Sequence, residues 1–222
     1  ELDNEIVVSM RAESAALFDV SDPEVPDLIM IIPLADWDNV RDIAVCDEVI
    51  IYCVSNIGLI DISDPEDPNS LGTIRVLGPQ KLAVTQNYAY AIIENNNREA
   101  ELGIFNINDP RGGFFPSYFP IANRWSCFAV SGVNVFIAQP GRIDILDITN
   151  RSQPELVGSY EHDFTADKMV IEGDFLYLAC GRNGIEVIDI SDIENPQTAG
   201  YFNTPGRALD IEASNGYIYV AD

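Results

Sequence analysis

A segment that recurs along the whole chain constrains its fold more than any other feature. The copies read FDVSDPEVP, IDISDPEDP, FNINDPRGG, LDITNRSQP and IDISDIENP. Their first Asp or Asn falls at Asp19, Asp61, Asn106, Asp147 and Asp189, so the successive steps are 42, 45, 41 and 42 residues. A repeat of roughly 40–45 residues that contains several strand-sized segments is typical of a β-propeller blade. The sequence therefore predicts an all-β propeller.

The most regular copy shows how one repeat should fold. Residues 208–214 predict a first strand, and NG at 215–216 predicts a two-residue hairpin turn. The second strand is expected at 217–221, the third at 185–190 and the fourth at 197–202. β-branched and aromatic residues between frequent turn residues favour strands, and no stretch keeps the 3.6-residue period of a helix. We expect four-stranded antiparallel blades, about five in this chain plus a partial sixth.

The repeat runs without a break, so residues 1–222 predict a single propeller domain. Its repeat boundaries fall near 40, 79, 125, 166 and 206. In register with the repeat, the chain begins at the end of a first strand and stops after a second one, which favours a fragment of a longer chain. The strand at 217–221 would then be unpaired and open to assembly with another molecule. In a closed five-blade ring it would instead compete with residues 6–10 for one position.

The SDP turns have a structural and a functional explanation. Asp and Ser side chains accept hydrogen bonds from the turn backbone, and Pro fixes φ where no strand N–H is needed. A cluster of Asp residues is also the chemistry of a calcium site, but the DxDxDG-type ligand spacing is missing. We favour the turn explanation and expect no metal site.

One position of the second strand is aromatic in most copies. We assign to it Tyr52, Tyr90, Phe136, Tyr177 and Tyr219, with Val7 in the first copy. A large aromatic side chain that recurs at one position should pack between neighbouring blades.

The four cysteines indicate no disulfide framework. Cys46, Cys53, Cys127 and Cys180 fall at unmatched positions of different copies, and Cys46 should face Val49 rather than Cys53 across a tight hairpin. We expect four small buried hydrophobic side chains.

Composition argues against several function classes. The chain has 36 acidic and 12 basic residues, for a net charge of −24, which argues against a nucleic-acid partner held on a broad basic face. The apolar runs are strand-sized, so we expect no membrane insertion. GxSxG, HExxH and GxGxxG motifs are missing, and one His cannot build a His-rich metal centre, so we expect no cofactor. The strong negative charge fits an extracellular or cell-surface location.

The repeat resembles a known family. The combination GIEVIDISD, NP and AGYFNTPGRALDIEASNGYIYVAD resembles the LVIVD repeat, and the resemblance covers the whole chain, most closely in the second and fifth copies. It implies a β-propeller of a bacterial or archaeal extracellular protein. It implies no particular activity, so function has to be argued from a site.

Basic and aromatic residues concentrate in the loops at one end of the predicted blades. Loops between second and third strands, and crossovers between blades, hold nine of the 12 basic residues, both Trp and the only His. We predict a ligand-binding face whose candidate residues are Trp37, Arg41, Arg98, Arg124, Trp125, Arg142, His162, Arg182 and Arg207. Arg11, Lys81 and Lys168 belong to the same group of loops.

These residues support two interpretations. A cationic, aromatic face on an acidic protein would attract an anionic glycan or an acidic loop of a protein partner. Alternatively, the arginines pair with neighbouring acids, Arg41 with Asp42 and Arg207 with Asp210, and tie the blades together.

The leading function is a non-enzymatic binding or structural module. The alternative is a polysaccharide-acting hydrolase or lyase that uses Asp42 and Asp210 as a carboxylate pair in the central channel. Lys81 and Lys168 occupy equivalent positions between those acids, which favours neutralisation over catalysis. We therefore assign no catalytic residue.

Overall fold

The computed structural model describes residues 6–11, 14–22, 24–34, 40–85, 87–109, 114–122, 126–214 and 216–222. The chain divides into two compact units, Glu1–Pro116 and Ser117–Asp222. Within the described ranges the regular elements are all β-strands. No helix in those ranges is long and apolar enough to span a membrane.

The first unit contains three sheets. The first sheet consists of β1 (Ile6–Arg11), β2 (Ser14–Asp19) and β3 (Asp27–Pro33). The second consists of β4 (Asp42–Cys46), β5 (Val49–Cys53), β6 (Ile57–Asp61) and β7 (Asn69–Ile74). The third consists of β8 (Leu82–Thr85), β9 (Tyr88–Glu94), β10 (Ala100–Asn106) and β11 (Phe114–Ile121), whose last residues pass the boundary of the unit.

The second unit repeats the pattern. The fourth sheet consists of β12 (Phe128–Ser131), β13 (Asn134–Gln139), β14 (Arg142–Asp147) and β15 (Glu155–Glu161). The fifth consists of β16 (Lys168–Glu172), β17 (Phe175–Ala179), β18 (Ile185–Asp189) and β19 (Gln197–Phe202). β20 (Asp210–Ser214) and β21 (Tyr217–Ala221) form a sixth, two-stranded sheet.

The sheets share their topology and their irregularities. Consecutive strands pair antiparallel, in the order in which they occur along the chain. We call the first Asp or Asn of each copy of the recurring segment the marker residue. In the first, second, fourth and fifth sheets, the last two strands shift register at one equivalent place, between the second and the first residue before the marker Asp. A β-bulge that recurs at one position is a property of the repeat, because it inserts one extra residue into one strand. This arrangement confirms the predicted propeller of four-stranded antiparallel blades.

The hydrophobic core lies between consecutive sheets. In the first unit, Ile51 and Leu59 of the second sheet pack against Ala89 and Ala91 of the third. In the second unit, Phe136 of the fourth sheet packs in one cluster with residues of the fifth, including Met169, Leu176 and Leu178. Each of these sheets therefore buries one face on the sheet that follows it.

The predicted aromatic position of the second strand is wrong by one residue in two copies. Counted from the hairpin pairing or from the marker Asp, the equivalent residues are Val8, Ile51, Tyr90, Phe136, Tyr177 and Tyr219. Tyr52 and Val7 lie one position away, and a one-residue offset in a strand turns the side chain to the opposite face. Tyr52 accordingly packs with the cluster shared by the first two sheets, and a Cβ at Gly58 would collide with its ring.

Burial at this position differs along the chain. Tyr90 and Phe136 are buried, and Tyr177 is half-buried between the fifth and sixth sheets. Tyr219, in the two-stranded sheet, is 58% exposed. The expectation that this aromatic residue packs between neighbouring blades is confirmed for Phe136 and Tyr177 and is wrong for the exposed Tyr219.

The cysteines are all free, and three of the four, Cys53, Cys127 and Cys180, are buried. Cys46 is half-buried and pairs with Val49 across the hairpin, as predicted. Burial raises the pKa of Cys53 and of Cys46, and burial together with the nearby Glu186 raises the pKa of Cys180 to about 12. These three thiols therefore stay protonated at neutral pH and are poor nucleophiles.

The marker Asp or Asn of each copy closes a turn. In all five copies its side chain accepts the backbone N–H two residues ahead, at 2.6 to 2.9 Å. This geometry confirms the turn explanation. In the part of the chain that the structure describes, no group of three or more His, Cys, Asp or Glu could hold a metal ion.

Replacing Phe136 by Ala should destabilise the protein by about 3–5 kcal/mol, because a fully buried aromatic side chain leaves a cavity between two sheets. Tyr219→Ala is the matched control, since it removes an aromatic residue from the equivalent but exposed position. Its effect should stay within about 0.5 kcal/mol. Denaturant unfolding of the two variants measures the difference. Equal losses of stability would contradict the assignment of the sheet faces.

Acid stability should depend on the marker carboxylates. Hydrogen bonds from the Ser191 hydroxyl and then from its N–H hold the pKa of Asp189 below its ordinary value. A carboxyl whose pKa is lowered by folding stabilises the protein above its ordinary pKa, and that stabilisation is lost as pH falls through the lowered pKa. Asp189→Asn keeps the acceptor and removes the titration, so its Tm should fall less between pH 7 and pH 3 than the parent's does.

The control is Glu155→Gln, which removes one charge from an exposed strand position. If Asp189→Asn and the parent lose the same number of degrees over that pH range, the turn hydrogen bond does not stabilise the folded state.

Candidate functional site

Six of the nine predicted binding residues lie within the described ranges. They are Arg41, Arg98, Arg142, His162, Arg182 and Arg207, whereas Trp37, Arg124 and Trp125 lie outside the described residues. Arg41 and Arg207 lie just before a first strand, and Arg98 and Arg182 lie just before a third strand. Arg142 begins a third strand, and His162 follows a fourth strand. Because the strands are antiparallel, each of these residues lies at the same end of its own sheet, which we call the loop end.

Arg41 connects the second sheet to the crossover that follows it. Its Nη1 donates to the carbonyl oxygen of Val54 at 2.9 Å and to that of Pro79 at 3.2 Å. Asp42, the partner predicted for Arg41, accepts the N–H groups of Ile43 at 3.0 Å and Leu82 at 2.8 Å. Both residues therefore tie the second and third sheets together through backbone groups.

In the second unit, residues at the start of a first strand make equivalent contacts with the sheet that follows or with its crossover. The Cys127 thiol donates to the carbonyl oxygen of Ala166 at 3.4 Å. Lys168 Nζ lies 3.8 Å from Asp210 Oδ1. Asp42, Cys127 and Lys168 occupy equivalent positions of the repeat, so one position contacts the next sheet in three copies.

Arg207 pairs with a different acid from the one predicted. Its Nη2 lies 3.5 Å from Asp167 Oδ2, while Asp210 faces Lys168. Gly181, at φ 56°, and Ala208 exchange two backbone hydrogen bonds at 3.0 Å. A Cβ on Gly181 would lie 3.5 Å from Arg207 Nε, so the arginine packs over the loop that carries Arg182.

Arg142 is held by a buried carboxylate that the sequence analysis did not single out. Its Nε lies 2.7 Å from Asp144 Oδ1 and its Nη2 lies 3.3 Å from Oδ2. The Asp144 side chain is 1% exposed and that of Arg142 is 54% exposed. The two-point contact therefore orients an exposed guanidinium group, whose Nη1 is left for other acceptors.

Arg98 and Arg182 are exposed in the loops between second and third strands. Arg98 adopts a positive φ of 65°, and its backbone N–H donates to the carbonyl oxygen of Asn95. Among the described residues, neither guanidinium group has a hydrogen bond or an ion pair.

His162 lies in a small pocket between the fourth sheet and the crossover to the fifth. The pocket measures about 180 Å³, and its polar lining comprises Ser126, Gln139, His162 and Thr165. His162 is 7% exposed, and both of its ring nitrogens are buried. In the part of the chain that the structure describes, no group forms a hydrogen bond with either nitrogen. Because neither nitrogen is accessible to a water-sized molecule, the imidazole lines the pocket without presenting its nitrogens to it.

A second buried carboxylate was also missed. Glu186 is 1% exposed, and its Oε1 accepts hydrogen bonds from the hydroxyl groups of Tyr160 at 2.6 Å and Tyr201 at 3.1 Å. Burial, followed by the hydrogen bond to Glu186, raises the pKa of the Tyr160 phenol. The signal in the sequence is an acid three residues before the marker Asp of an apolar third strand, in IEVID and in IDILD, where the other copies have Ala or Gly.

Asp42 and Asp210, the carboxylate pair of the alternative enzymatic function, both have structural partners. Asp210 Oδ1 accepts the N–H of Ile211 at 2.9 Å, as Asp42 does from Ile43. The contact between Lys168 and Asp210 confirms the expected neutralisation at that position. The catalytic use of these two acids stays a hypothesis.

The family comparison agrees with the repeat pattern. Residues 127–162, 165–204 and 205–222 match the model of the LVIVD repeat, which confirms the resemblance drawn from the sequence for that part of the chain. A search of curated proteins found no match.

Several solved structures are similar in fold. A functionally unknown protein from Desulfotomaculum acetoxidans matches with a TM-score of 0.69 and 13% identity, over 90% of this chain and 66% of that protein. The computationally designed protein Ika8 matches with a TM-score of 0.65 and 11% identity, over 99% of this chain and 78% of that protein. KlHsv2 with loop 6CD replaced by a Gly-Ser linker matches with a TM-score of 0.64 and 12% identity, over 94% of this chain and 70% of that protein. At such identities the similarity shows the fold alone.

Charge reversal should separate the arginines that hold the fold from those that do not. Arg142→Glu leaves the buried Asp144 carboxylate without its cation and should destabilise the protein by about 1–3 kcal/mol. Arg182→Glu, which makes the same charge change on an exposed loop, should change stability by no more than about 0.5 kcal/mol. Thermal and denaturant unfolding measure both. Equal effects would show that the Arg142–Asp144 contact does not stabilise the fold.

Proposed function

We propose that this LVIVD-repeat propeller is a non-enzymatic binding module of an extracellular or cell-surface protein, and that exposed arginines at the loop ends of its sheets bind an anionic glycan or protein partner. The observation that carries the proposal is the exposure of Arg98 and Arg182 without a partner in the described part of the chain. In a protein of net charge −24, counter-charges are abundant. Guanidinium groups that stay free of them retain their capacity to bind an external anion.

Arg142 supports the proposal through its orientation. The buried Asp144 carboxylate fixes the guanidinium on the first residue of a strand. A donor that is already held in place loses little side-chain entropy when a ligand binds, so a fixed group contributes more to affinity than a free one.

Two of the predicted binding residues have other roles. Arg41 donates to two backbone carbonyl groups, and Arg207 pairs with Asp167. We assign both to the connections between blades. His162 is buried and its ring nitrogens are not accessible. The proposed binding residues are therefore Arg98, Arg142 and Arg182.

The absence of catalysis is part of the proposal. Asp42 and Asp210 accept backbone N–H groups, and Asp210 also faces Lys168. The raised pKa values of Cys46, Cys53 and Cys180 argue against a thiolate nucleophile.

Binding to alginate, a polyuronate, and to poly-glutamate tests the function. We expect the chain to bind at least one of these polyanions at low salt and to bind more weakly as salt rises, because exposed charges are screened over about 10 Å at 0.1 M. Arg98→Gln with Arg182→Gln, which changes the net charge by the same amount as the control below, should reduce the affinity at least tenfold while the Tm stays close to the parent value.

The matched control is Gln153→Glu with Gln197→Glu, which adds negative charge near the turns at the opposite end of the sheets of the second unit. If the control weakens binding as much as the arginine variant does, net charge alone accounts for the interaction. If no polyanion binds, the proposed function is wrong.

A further inference from the structure

We propose that the groove beside β21 binds an extended segment of another polypeptide, which adds to the sixth sheet as its third strand. This surface is distinct from the exposed arginines, so the inference goes beyond the proposed function and does not rest on it. Its starting point is that the sixth sheet has two strands, whereas the fourth and fifth sheets of the same unit have four.

One edge of β21 is unpaired in the part of the chain that the structure describes. β21 pairs only with β20 there, whereas β13 and β17, the equivalent second strands, pair on both edges. On the β20 side, the carbonyl oxygen of Ala221 accepts the N–H of Leu209 at 2.8 Å. Backbone groups of alternate residues point to opposite edges of a strand, so those of Ile218 and Val220 point to the unpaired edge. Such an edge is a template for a further strand.

An apolar groove lies beside that edge, between the fifth sheet and β21. It measures about 490 Å³. Because a cavity of about 150 Å³ holds one benzene molecule, the groove has room for two or three large apolar side chains. Most of its lining is apolar and comes from Tyr177, Ile185, Val187, Phe202, Pro205, Ile218 and Val220.

Three other places in the chain show what occupies the equivalent position. There, the residues four and two before one marker pack against the residues just before and just after the next marker. The sets are Ile57 and Leu59 with Phe105 and Ile107, Ala15 and Leu17 with Ile60 and Ile62, and Ile143 and Ile145 with Ile188 and Ile190. In each case, therefore, a third strand of the following sheet closes the core.

The fifth sheet lacks this cover. Val187, two residues before its marker, is half-buried, whereas the equivalent side chains are at most 1% exposed in Leu17, Leu59, Ile104 and Ile145. Phe202, on the fourth strand, is 64% exposed, whereas Ile32 and Ile74 at the equivalent position are 8% and 6% exposed. A third strand on β21 would cover Val187 and Phe202, and burial of apolar surface is favourable.

The copies also define the partner by its chemistry. The segments that fill the equivalent places are IDI at 60–62, FNI at 105–107 and IDI at 188–190. Alternate side chains of a strand share one face, so the two apolar residues of each segment point to the same side. On β21, that side is the one from which Ile218 and Val220 pack against the fifth sheet. The partner is therefore an extended segment with apolar residues at alternate positions.

A different polypeptide fits the groove better than a second copy of this chain. The third strands of the repeat, β2, β6, β10, β14 and β18, each pair on both edges within their own sheets. A second copy would have to break one of its own sheets to donate such a strand. Two molecules of net charge −24 also repel each other.

A labelled peptide with the sequence of residues 57–64, IGLIDISD, tests the inference. Its binding to the whole chain is followed by fluorescence anisotropy, and amide exchange of β21 is measured by NMR with and without the peptide. We expect saturable binding and at least tenfold slower exchange at Ile218 and Val220, because their N–H groups would donate to the added strand. The control peptide IGLDIISD has the same composition but turns an acid toward the groove, so it should bind at least tenfold more weakly.

Variants of the chain locate the site. Phe202→Asp places a charge at the rim of the groove and should weaken peptide binding at least tenfold, with little change in Tm because Phe202 is exposed. Leu156→Asp, the matched control, makes the same change at an exposed position of the fourth sheet and should leave binding unchanged. If Phe202→Asp does not fold, the exchange data on the parent and the control peptide decide.

Four outcomes would overturn the inference. The first is no saturable binding, and the second is binding that leaves exchange at Ile218 and Val220 unchanged. The third is loss of peptide binding in Arg98→Gln with Arg182→Gln, which would place the peptide at the arginines. The fourth is a dimer of the chain that competes with the peptide and is lost in Phe202→Asp, since it would assign the groove to a second copy. Failure of polyanion binding would contradict the proposed function and leave this inference standing.

Discussion

Packing of each sheet on the next is the interaction on which the rest of this structure depends. A four-stranded sheet with two apolar faces cannot bury either face alone, so stability is shared between neighbours. Ile51 and Phe136, at one position of the second strand, pack against the following sheet in their respective units. At the loop end, a hydrogen bond from Leu82 to Asp42 connects the second and third sheets, and Lys168 and Asp210 form a polar contact between the fifth and sixth sheets.

The proposed binding residues lie outside this packing. Because the core holds the sheets together within each unit, the loops that join the strands can carry groups that contribute nothing to the core. The exposed Arg98 and Arg182 are such groups. The buried carboxylate of Asp144 links the two roles, since it sits inside a sheet and orients the exposed Arg142.

Sequence periodicity was sufficient to predict the strands, the turns and the free cysteines, because each rests on local geometry. Prediction from periodicity failed where a residue's position or partner depended on residues distant in sequence. Tyr52 was matched by residue type, whereas strand register places Ile51 at that position. Arg207 was matched to a close neighbour in sequence, Asp210, although the sheets bring it to Asp167. The pocket could not be predicted, since it exists only where a sheet and a crossover meet.

Native-state hydrogen exchange of individual amides tests most directly whether each blade is stabilised by the blade that follows it. We compare amides of the second unit that are hydrogen-bonded to a first strand, so that the local bond is the same. Protection should be greatest in β13, around the buried Phe136, intermediate in β17, around the half-buried Tyr177, and least in β21, around the exposed Tyr219. Amides of β21 that exchange as slowly as those of β13 would contradict this account.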